Sequence, residues 1–142
     1  WYDDVRCMAQ VRKAINIPVN AGQSEITGFA VRRLLDAEAV DIVNFDASNG
    51  GGITEWRRAA AACALHGVQM AHHEEPQIAV HLLSSIPHGT YVECFPDPDR
   101  DPIWANLIAN RPTIKNGIIQ VPQEPGFGLI LDKSFINKYR VG

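Results

Sequence analysis

Short apolar strands and amphipathic helices alternate along this chain as far as Phe95, and this alternation limits the possible folds more than any other feature. The strand-like segments begin near Ile17, Asp41, Val68 and Thr90. A spacing of roughly 25 residues is what one β/α unit requires. The pattern therefore predicts a parallel α/β fold, either a doubly wound sheet or a barrel. No helix opens with a GxGxxG motif, so a dinucleotide-binding fold is not indicated.

The helix-like segments are expected to bury one apolar face each. In the segment 26–39 the expected inward residues are Phe29, Leu34 and Leu35. Gly67 is typical of a helix C-terminus and ends the segment 53–67. Beyond Phe95 we expect an acidic proline-rich loop, a short helix, a hairpin with a Gly-rich turn over 113–132, and a closing segment. The predicted division is a barrel part at 1–110 and a hairpin with its tail at 111–142.

Composition excludes several classes of protein. Of the 142 residues 46% are hydrophobic and 20% charged, which favours a packed core over disorder. The formal net charge of −3 gives no basic field for nucleic acid. No apolar run of about 18 residues occurs, so no membrane partner is expected.

The chain termini and the cysteines give weaker indications. The sequence starts without Met and without the order of a signal peptide, so we expect it to belong to a larger polypeptide. Cys7, Cys63 and Cys94 are widely spaced and odd in number, which argues against disulfides and a structural zinc site. Each is expected to be a buried, reduced thiol, which favours a cytoplasmic location.

Polar residues follow each predicted strand, at the end where barrel enzymes carry their chemistry. These positions are Gln23 to Glu25, Asn44 to Asp46, His72 to Glu75, and Glu93. Taken singly, each has a structural explanation, such as a helix N-cap for an aspartate. Taken together, they supply a carboxylate to orient an imidazole, and a further carboxyl that can hydrogen-bond an oxyanion when protonated.

Three other patterns carry less information. Gly50 to Gly52 either cradle an anion at a helix N-terminus or form a flexible loop. Ser24, Ser48 and Cys94 lack an elbow motif, so nucleophilic catalysis is not supported. The run His72 to Glu75 admits a zinc hydrolase, but adjacent strand residues point to opposite faces and make a poor chelate.

Five motifs in order resemble the mandelate racemase branch of the enolase superfamily: IPVNAGQSE, DIVNFDASNGGGITEW, GVQMAHH, YVECF and EPGFGLILD. The resemblance implies the C-terminal half of a modified TIM-type (β/α)7β barrel, whose tail at 111–142 packs toward a capping domain. It also implies Mg2+-assisted removal of the proton next to a carboxylate. Asp46 and His73 match the family's Asp–His dyad, and Glu93 matches the acid that binds the enolised carboxylate. Trp1 to Asp4 resemble the stretch after a metal-binding Glu.

Two departures from the family pattern affect the expected activity. Gln23 stands where the third Mg2+ ligand is a Glu, so either Gln23 or the nearby Glu25 is the expected ligand, or the metal binds poorly. The other ligands would precede Trp1, so a longer chain or a second copy would complete the barrel. The expected function is a Mg2+-dependent acid-sugar dehydratase, a hydro-lyase, or less favourably a racemase. The alternative is a non-catalytic half barrel.

Overall fold

The computed structural model describes residues 4–95, 97–100 and 102–141. The helices, in chain order, are α1 Val5–Ala14, α2 Gly28–Asp36, α3 Gly52–Leu65, α4 Pro76–Ser84, α5 Pro102–Leu107 and α6 Lys133–Tyr139. The strands are β1 Asn20–Ala21, β2 Ile42–Asn44, β3 Gln69–His72, β4 Gly89–Val92, β5 Ile114–Lys115 and β6 Ile118–Ile119. The first four strands form one parallel sheet in the order β1-β2-β3-β4, so the predicted parallel α/β fold is confirmed. The predicted strands extend beyond the observed ones.

Local sequence signals set where the helices begin. The carboxylate of Asp4 accepts the backbone N–H groups of Arg6 and Cys7, and the hydroxyl of Thr27 accepts that of Ala30. Pro76 begins α4, where its missing N–H removes no helical hydrogen bond. Gly67, with φ of 66°, follows the C-cap of α3, as the sequence predicts.

The hydrophobic core lies between the sheet and helices α2, α3 and α4. In β2 and just beyond it, Val43 and Phe45 are fully buried in this core. Asn44 and Asp46 alternate with them in sequence and therefore face the opposite side of the sheet. In β3, Met70 belongs to the same core cluster, so the alternation continues there.

The inward face of α2 differs from the prediction. Leu34 and Leu35 are buried as expected, together with Val31. Phe29 is 81% exposed, because a residue two positions from Val31 lies about 200° away around the helix axis. Of the three cysteines only Cys63 is buried, whereas Cys94 is half-buried and Cys7 exposed, so their predicted burial is wrong for two of the three.

An extra residue in β4 changes its register against β3. Met70 pairs with Gly89, and His72 pairs with Val92, so three steps along β4 match two along β3. Such bulges re-aim the side chains that follow them. Because His72 pairs with Val92, the next residue in each strand direction also matches, and Glu93 lies level with His73. Its backbone N–H bonds to the carbonyl of His72 at 3.0 Å.

The C-terminal part contains a hairpin that is much shorter than the predicted one over 113–132. Strands β5 and β6 pair antiparallel around a turn at Asn116 and Gly117, both with positive φ. Ile108 bridges Leu131, which joins the closing segment to the end of α5. The division at residue 110 and the packing of the tail against a capping domain stay predictions. Trp1 to Asp3 of the proposed ligand-flanking stretch lie outside the described residues.

The outer strands β1 and β4 have no second strand partner among the described residues. Completion of the barrel by a longer chain or a second copy therefore stays a prediction. No described helix is long and apolar enough to cross a membrane.

Candidate active site

Asp46 follows β2 and is almost fully buried at the carboxyl end of the sheet. Its Oδ1 accepts hydrogen bonds from the backbone N–H and hydroxyl of Ser48, both at 2.7 Å, and from the N–H of Asn49 at 3.1 Å. Its Oδ2 accepts from the side-chain amide of Asn49 at 2.8 Å. Burial raises the pKa of Asp46, but hydrogen bonds from His73, Ser48 and Asn49 outweigh it and hold that pKa below its ordinary value. Asp46 is therefore a fixed anion.

Gly50 is required for this loop to close over Asp46. Its backbone N–H donates to the carbonyl of Asp46 at 2.9 Å. A Cβ at this position would lie 2.3 Å from Cζ of Phe45 and 2.6 Å from that same carbonyl oxygen. The glycines after β2 thus have a packing role, which neither of the two earlier interpretations of Gly50 to Gly52 included.

His73 follows β3 and contacts Asp46 directly. Its Nδ1 lies 2.9 Å from Oδ2 of Asp46. Because that oxygen belongs to an ionised carboxylate, Nδ1 carries the proton and donates it to the hydrogen bond. The other ring nitrogen, Nε2, is then the basic one. It faces Oε2 of Glu93 at 3.7 Å and Oε1 of Glu74 at 4.0 Å, both too long for hydrogen bonds.

Glu93 lies beside His73 because of the extra residue in β4. Its Oε2 is buried and has no hydrogen-bond partner among the described residues. Glu93 and Glu74 also line a cavity of about 230 Å³, together with Arg100, which packs over the ring of Phe95. The structure thus brings together the predicted residues Asp46, His73 and Glu93, and Glu93 borders both Nε2 of His73 and the cavity.

The loop after His73 has a strained backbone that the sequence did not reveal. Glu74 and Glu75 have φ angles of 52° and 48°, a region that residues with a side chain rarely adopt. Burial raises the pKa of Glu75. Arg100 pairs with Glu74 at 3.3 Å, which gives the exposed end of the cavity a cation. Glu74 belongs to the polar run predicted at the end of this strand, whereas no sequence motif identifies Arg100 in advance.

The two candidate metal ligands lie apart from this group. Gln23 is exposed, and Glu25 is buried with its carboxylate 3.2 Å and 3.4 Å from the guanidinium of Arg33. Both line a different pocket, at the carboxyl end of β1. No cluster of three or more His, Cys, Asp or Glu side chains able to hold a metal occurs in the described parts of the chain.

His72 has a structural position that the sequence analysis did not assign. It shares the outward face of β3 with Met70, is fully buried, and stacks on Trp56 with ring centroids 6.4 Å apart. Both of its ring nitrogens bond to backbone groups. His72 therefore has no free nitrogen for a metal, which argues against the zinc hydrolase. The alternation of side chains between the two faces of a strand, read along VQMAHH, could have predicted that His72 lies on the same face as Met70.

Acid is expected to destabilise the fold through His72. Burial lowers the pKa of His72 and outweighs the hydrogen bond to His73 and the charge of Asp46, which raise it. Below about pH 6.5 the unfolded chain therefore binds a proton that the folded chain does not, so the free energy of unfolding falls with falling pH. The check is urea unfolding from pH 7.5 to 5. His72→Asn should show a shallower dependence, and an equal slope would contradict the assignment.

Consecutive parallel β/α units with polar side chains at the carboxyl ends of their strands place the fold in the class of TIM-type (β/α) barrels. A sequence model of the family described as "Enolase C-terminal domain-like" matches residues 1–135. The chain belongs to this family, and the predicted membership in the enolase superfamily is confirmed.

Three proteins similar to this chain are all much longer than it is. A mandelate racemase/muconate lactonizing enzyme from a marine actinobacterium, crystallised in complex with magnesium, is 48% identical with a TM-score of 0.92, over 100% of this chain and 40% of that chain. The 3,6-anhydro-alpha-L-galactonate cycloisomerase of Streptomyces coelicolor is 25% identical over 140 residues, 99% of this chain and 37% of the relative. The D-xylonate dehydratase of Haloferax volcanii is 26% identical over 136 residues, 92% of this chain and 32% of the relative. The chain spans less than half the length of each.

Proposed function

We propose that the intact protein removes the proton next to the carboxylate of a sugar acid and thereby dehydrates it. The observation that carries this proposal is the oriented imidazole of His73. Its Nδ1 is held at 2.9 Å by the buried carboxylate of Asp46, and its basic Nε2 faces Glu93 beside a cavity. A carboxylate in this position fixes the tautomer of the imidazole and orients its ring, which are requirements of a general base.

These positions support the following sequence of steps. Nε2 of His73 takes the α-proton, and the electron pair of the C–H bond moves into the carboxylate to form an enediolate. Glu93, in its protonated form, donates a hydrogen bond to the developing oxyanion. The electron pair then returns and expels the β-hydroxyl group, which receives the proton from His73 and leaves as water. The resulting enol rearranges to a 2-keto-3-deoxy acid.

The substrate class is supported by the relatives. The names of the cycloisomerase and the dehydratase both specify a carboxylate derived from a sugar. Dehydration is preferred to racemisation because one histidine can both remove the α-proton and protonate the leaving hydroxyl. Racemisation additionally needs proton delivery from the second face of the substrate.

Mg2+ fits the residues of this chain only in part. The ion prefers carboxylate oxygens, but Gln23 offers a neutral amide oxygen, and Glu25 is paired with Arg33. These two residues do not form a complete Mg2+ site by themselves. Gln23 is the better candidate for a ligand from this chain, because using Glu25 would leave the guanidinium of Arg33 without this carboxylate.

Gln23→Glu is therefore expected to tighten Mg2+ binding by the intact protein. A carboxylate replaces a neutral oxygen, and anionic ligands raise the affinity of sites for hard cations. Isothermal titration with Mg2+ measures the change, and Ser24→Glu is the matched control, since it adds the same charge one position away. Equal affinity in the wild type and Gln23→Glu would move the assignment to Glu25.

The proposal is tested by incubating the intact protein with a panel of sugar acids in deuterium oxide. Deuterium uptake at the α-carbon, followed by NMR, reports proton removal, and a 2-keto-3-deoxy product reports dehydration. Uptake without water loss would favour racemisation. If no acid on the panel exchanges its α-proton, the proposal is wrong.

The incomplete metal site favours a second candidate, a non-catalytic barrel segment that keeps the family's residues. It predicts Mg2+ binding no tighter than about millimolar, the range of weak sites, together with no exchange on any sugar acid. Tighter binding would count against it.

A further inference from the structure

His72 is a neutral imidazole whose tautomer is set by two backbone groups. Ala47 donates its backbone N–H to Nε2 of His72 at 3.2 Å, so Nε2 must be the acceptor. Nδ1 lies 2.8 Å from the carbonyl oxygen of His73, which can only accept, so Nδ1 must carry the proton. Neither backbone group can exchange its role. The ring therefore has one arrangement that satisfies both bonds.

These two hydrogen bonds join the two parts of the chain that carry the dyad. Ala47 is bonded covalently to Asp46, and the carbonyl that accepts from Nδ1 belongs to His73 itself. The ring of His72 thus spans the ends of β2 and β3 on the outward face of the sheet. On the inward face the same two ends are spanned by the hydrogen bond between Asp46 and His73.

We propose that His72 is a positioning residue, whose two backbone hydrogen bonds set the distance and orientation between Asp46 and His73. The expected effect of His72 on catalysis rests on the proposed function, whereas its expected effect on the geometry of Asp46 and His73 does not. His72 touches no substrate atom, since it lies buried between the sheet and α3. A displacement of about 1 Å in a catalytic group can cost on the order of 100-fold in rate. Loss of the two hydrogen bonds of His72 should therefore lower the rate measurably.

Three variants separate positioning from packing. His72→Phe keeps an aromatic ring against Trp56 but loses both backbone hydrogen bonds. His72→Asn keeps an amide N–H near the place of Nδ1, and His72→Gln keeps an acceptor near the place of Nε2. If His72 only fills space, His72→Phe should preserve the dyad best of the three. If it positions the dyad, His72→Phe should preserve it least.

The first readout needs no substrate, so it stands even if the proposed activity is wrong. The proton on Nδ1 of His73, bonded to Asp46, should give a low-field imidazole resonance in the NMR spectrum of the intact protein in water. Asp46→Asn and His73→Asn assign it by changing or removing it. We expect the resonance to shift or disappear in His72→Phe and to persist in His72→Asn or His72→Gln. An unchanged resonance in folded His72→Phe overturns the proposal.

The second readout is kinetic and applies once a substrate that exchanges is known. His72→Phe should lower kcat for α-proton exchange by about 10- to 100-fold with little change in KM, since substrate contacts are retained. In an Asp46→Asn background, His72→Phe should lower kcat by less than about twofold. The orientation of His73 by Asp46, which His72 is proposed to maintain, is already lost in that background. Equal losses in both backgrounds overturn the proposal. If His72→Phe does not fold, His72→Leu takes its place, because it also loses both backbone hydrogen bonds. An undisturbed resonance in folded His72→Leu overturns the proposal as well.

Discussion

His73→Asn is expected to lower α-proton exchange by about 10²- to 10⁴-fold, the usual contribution of a general base. The asparagine amide can take the place of Nδ1 and keep the hydrogen bond to Asp46, which holds His73 at 2.9 Å. What it lacks is a basic atom where Nε2 stood. The variant therefore removes the base and leaves the loop folded. Exchange of a sugar acid in deuterium oxide, compared with the wild type, measures the loss.

The matched control is His66→Asn, because His66 is exposed at the end of α3, away from the dyad. It should exchange at the wild-type rate. Loss of exchange in the control would point to a general effect of the substitution. Unchanged exchange in His73→Asn, from either face of the substrate, would show that another group removes the proton.

The family resemblance implied the pair Asp46 and His73, and the contact between them also agrees with two regular properties of parallel sheets. Strand side chains alternate between faces, and parallel strands bring their carboxyl ends to one edge. Asp46 and His73 follow neighbouring strands on the inward face, so their contact needs no long-range detail. Glu93 also depends on the extra residue in β4, which brings it level with His73 and which no sequence motif marks.

Other parts of the site could not be predicted, because they depend on contacts between distant residues. Glu25 was a candidate metal ligand because it lies two residues after Gln23, yet its carboxylate pairs with Arg33 one helical turn into α2. His72 was considered only as a zinc ligand in the run His72 to Glu75, because the sequence gives no sign of its backbone partners Ala47 and His73. Phe29 was predicted to be buried because it is hydrophobic, but its angle around the axis of α2 places it on the exposed face.

The second large effect is expected at Trp56, which links the hydrophobic core to the site. Trp56 is fully buried in α3 and stacks on the ring of His72. Trp56→Ala should lower the free energy of unfolding by about 3–5 kcal/mol, since it removes a large ring and leaves a cavity that the neighbours fill only in part. Denaturant unfolding of the intact protein measures the change. A loss below about 1 kcal/mol, the size of an ordinary substitution, would contradict the burial of this ring.

Trp56→Phe is the control that separates ring volume from the indole N–H. The indole nitrogen has no hydrogen-bond partner among the described residues, so replacing it by phenylalanine gives up no described bond and keeps a ring against His72. Its cost should therefore be well below that of Trp56→Ala. The cavity in Trp56→Ala lies beside the imidazole that bonds to both Ala47 and His73. That variant should consequently loosen the dyad as well as the core, whereas Trp56→Phe should retain both the fold and the low-field resonance of His73.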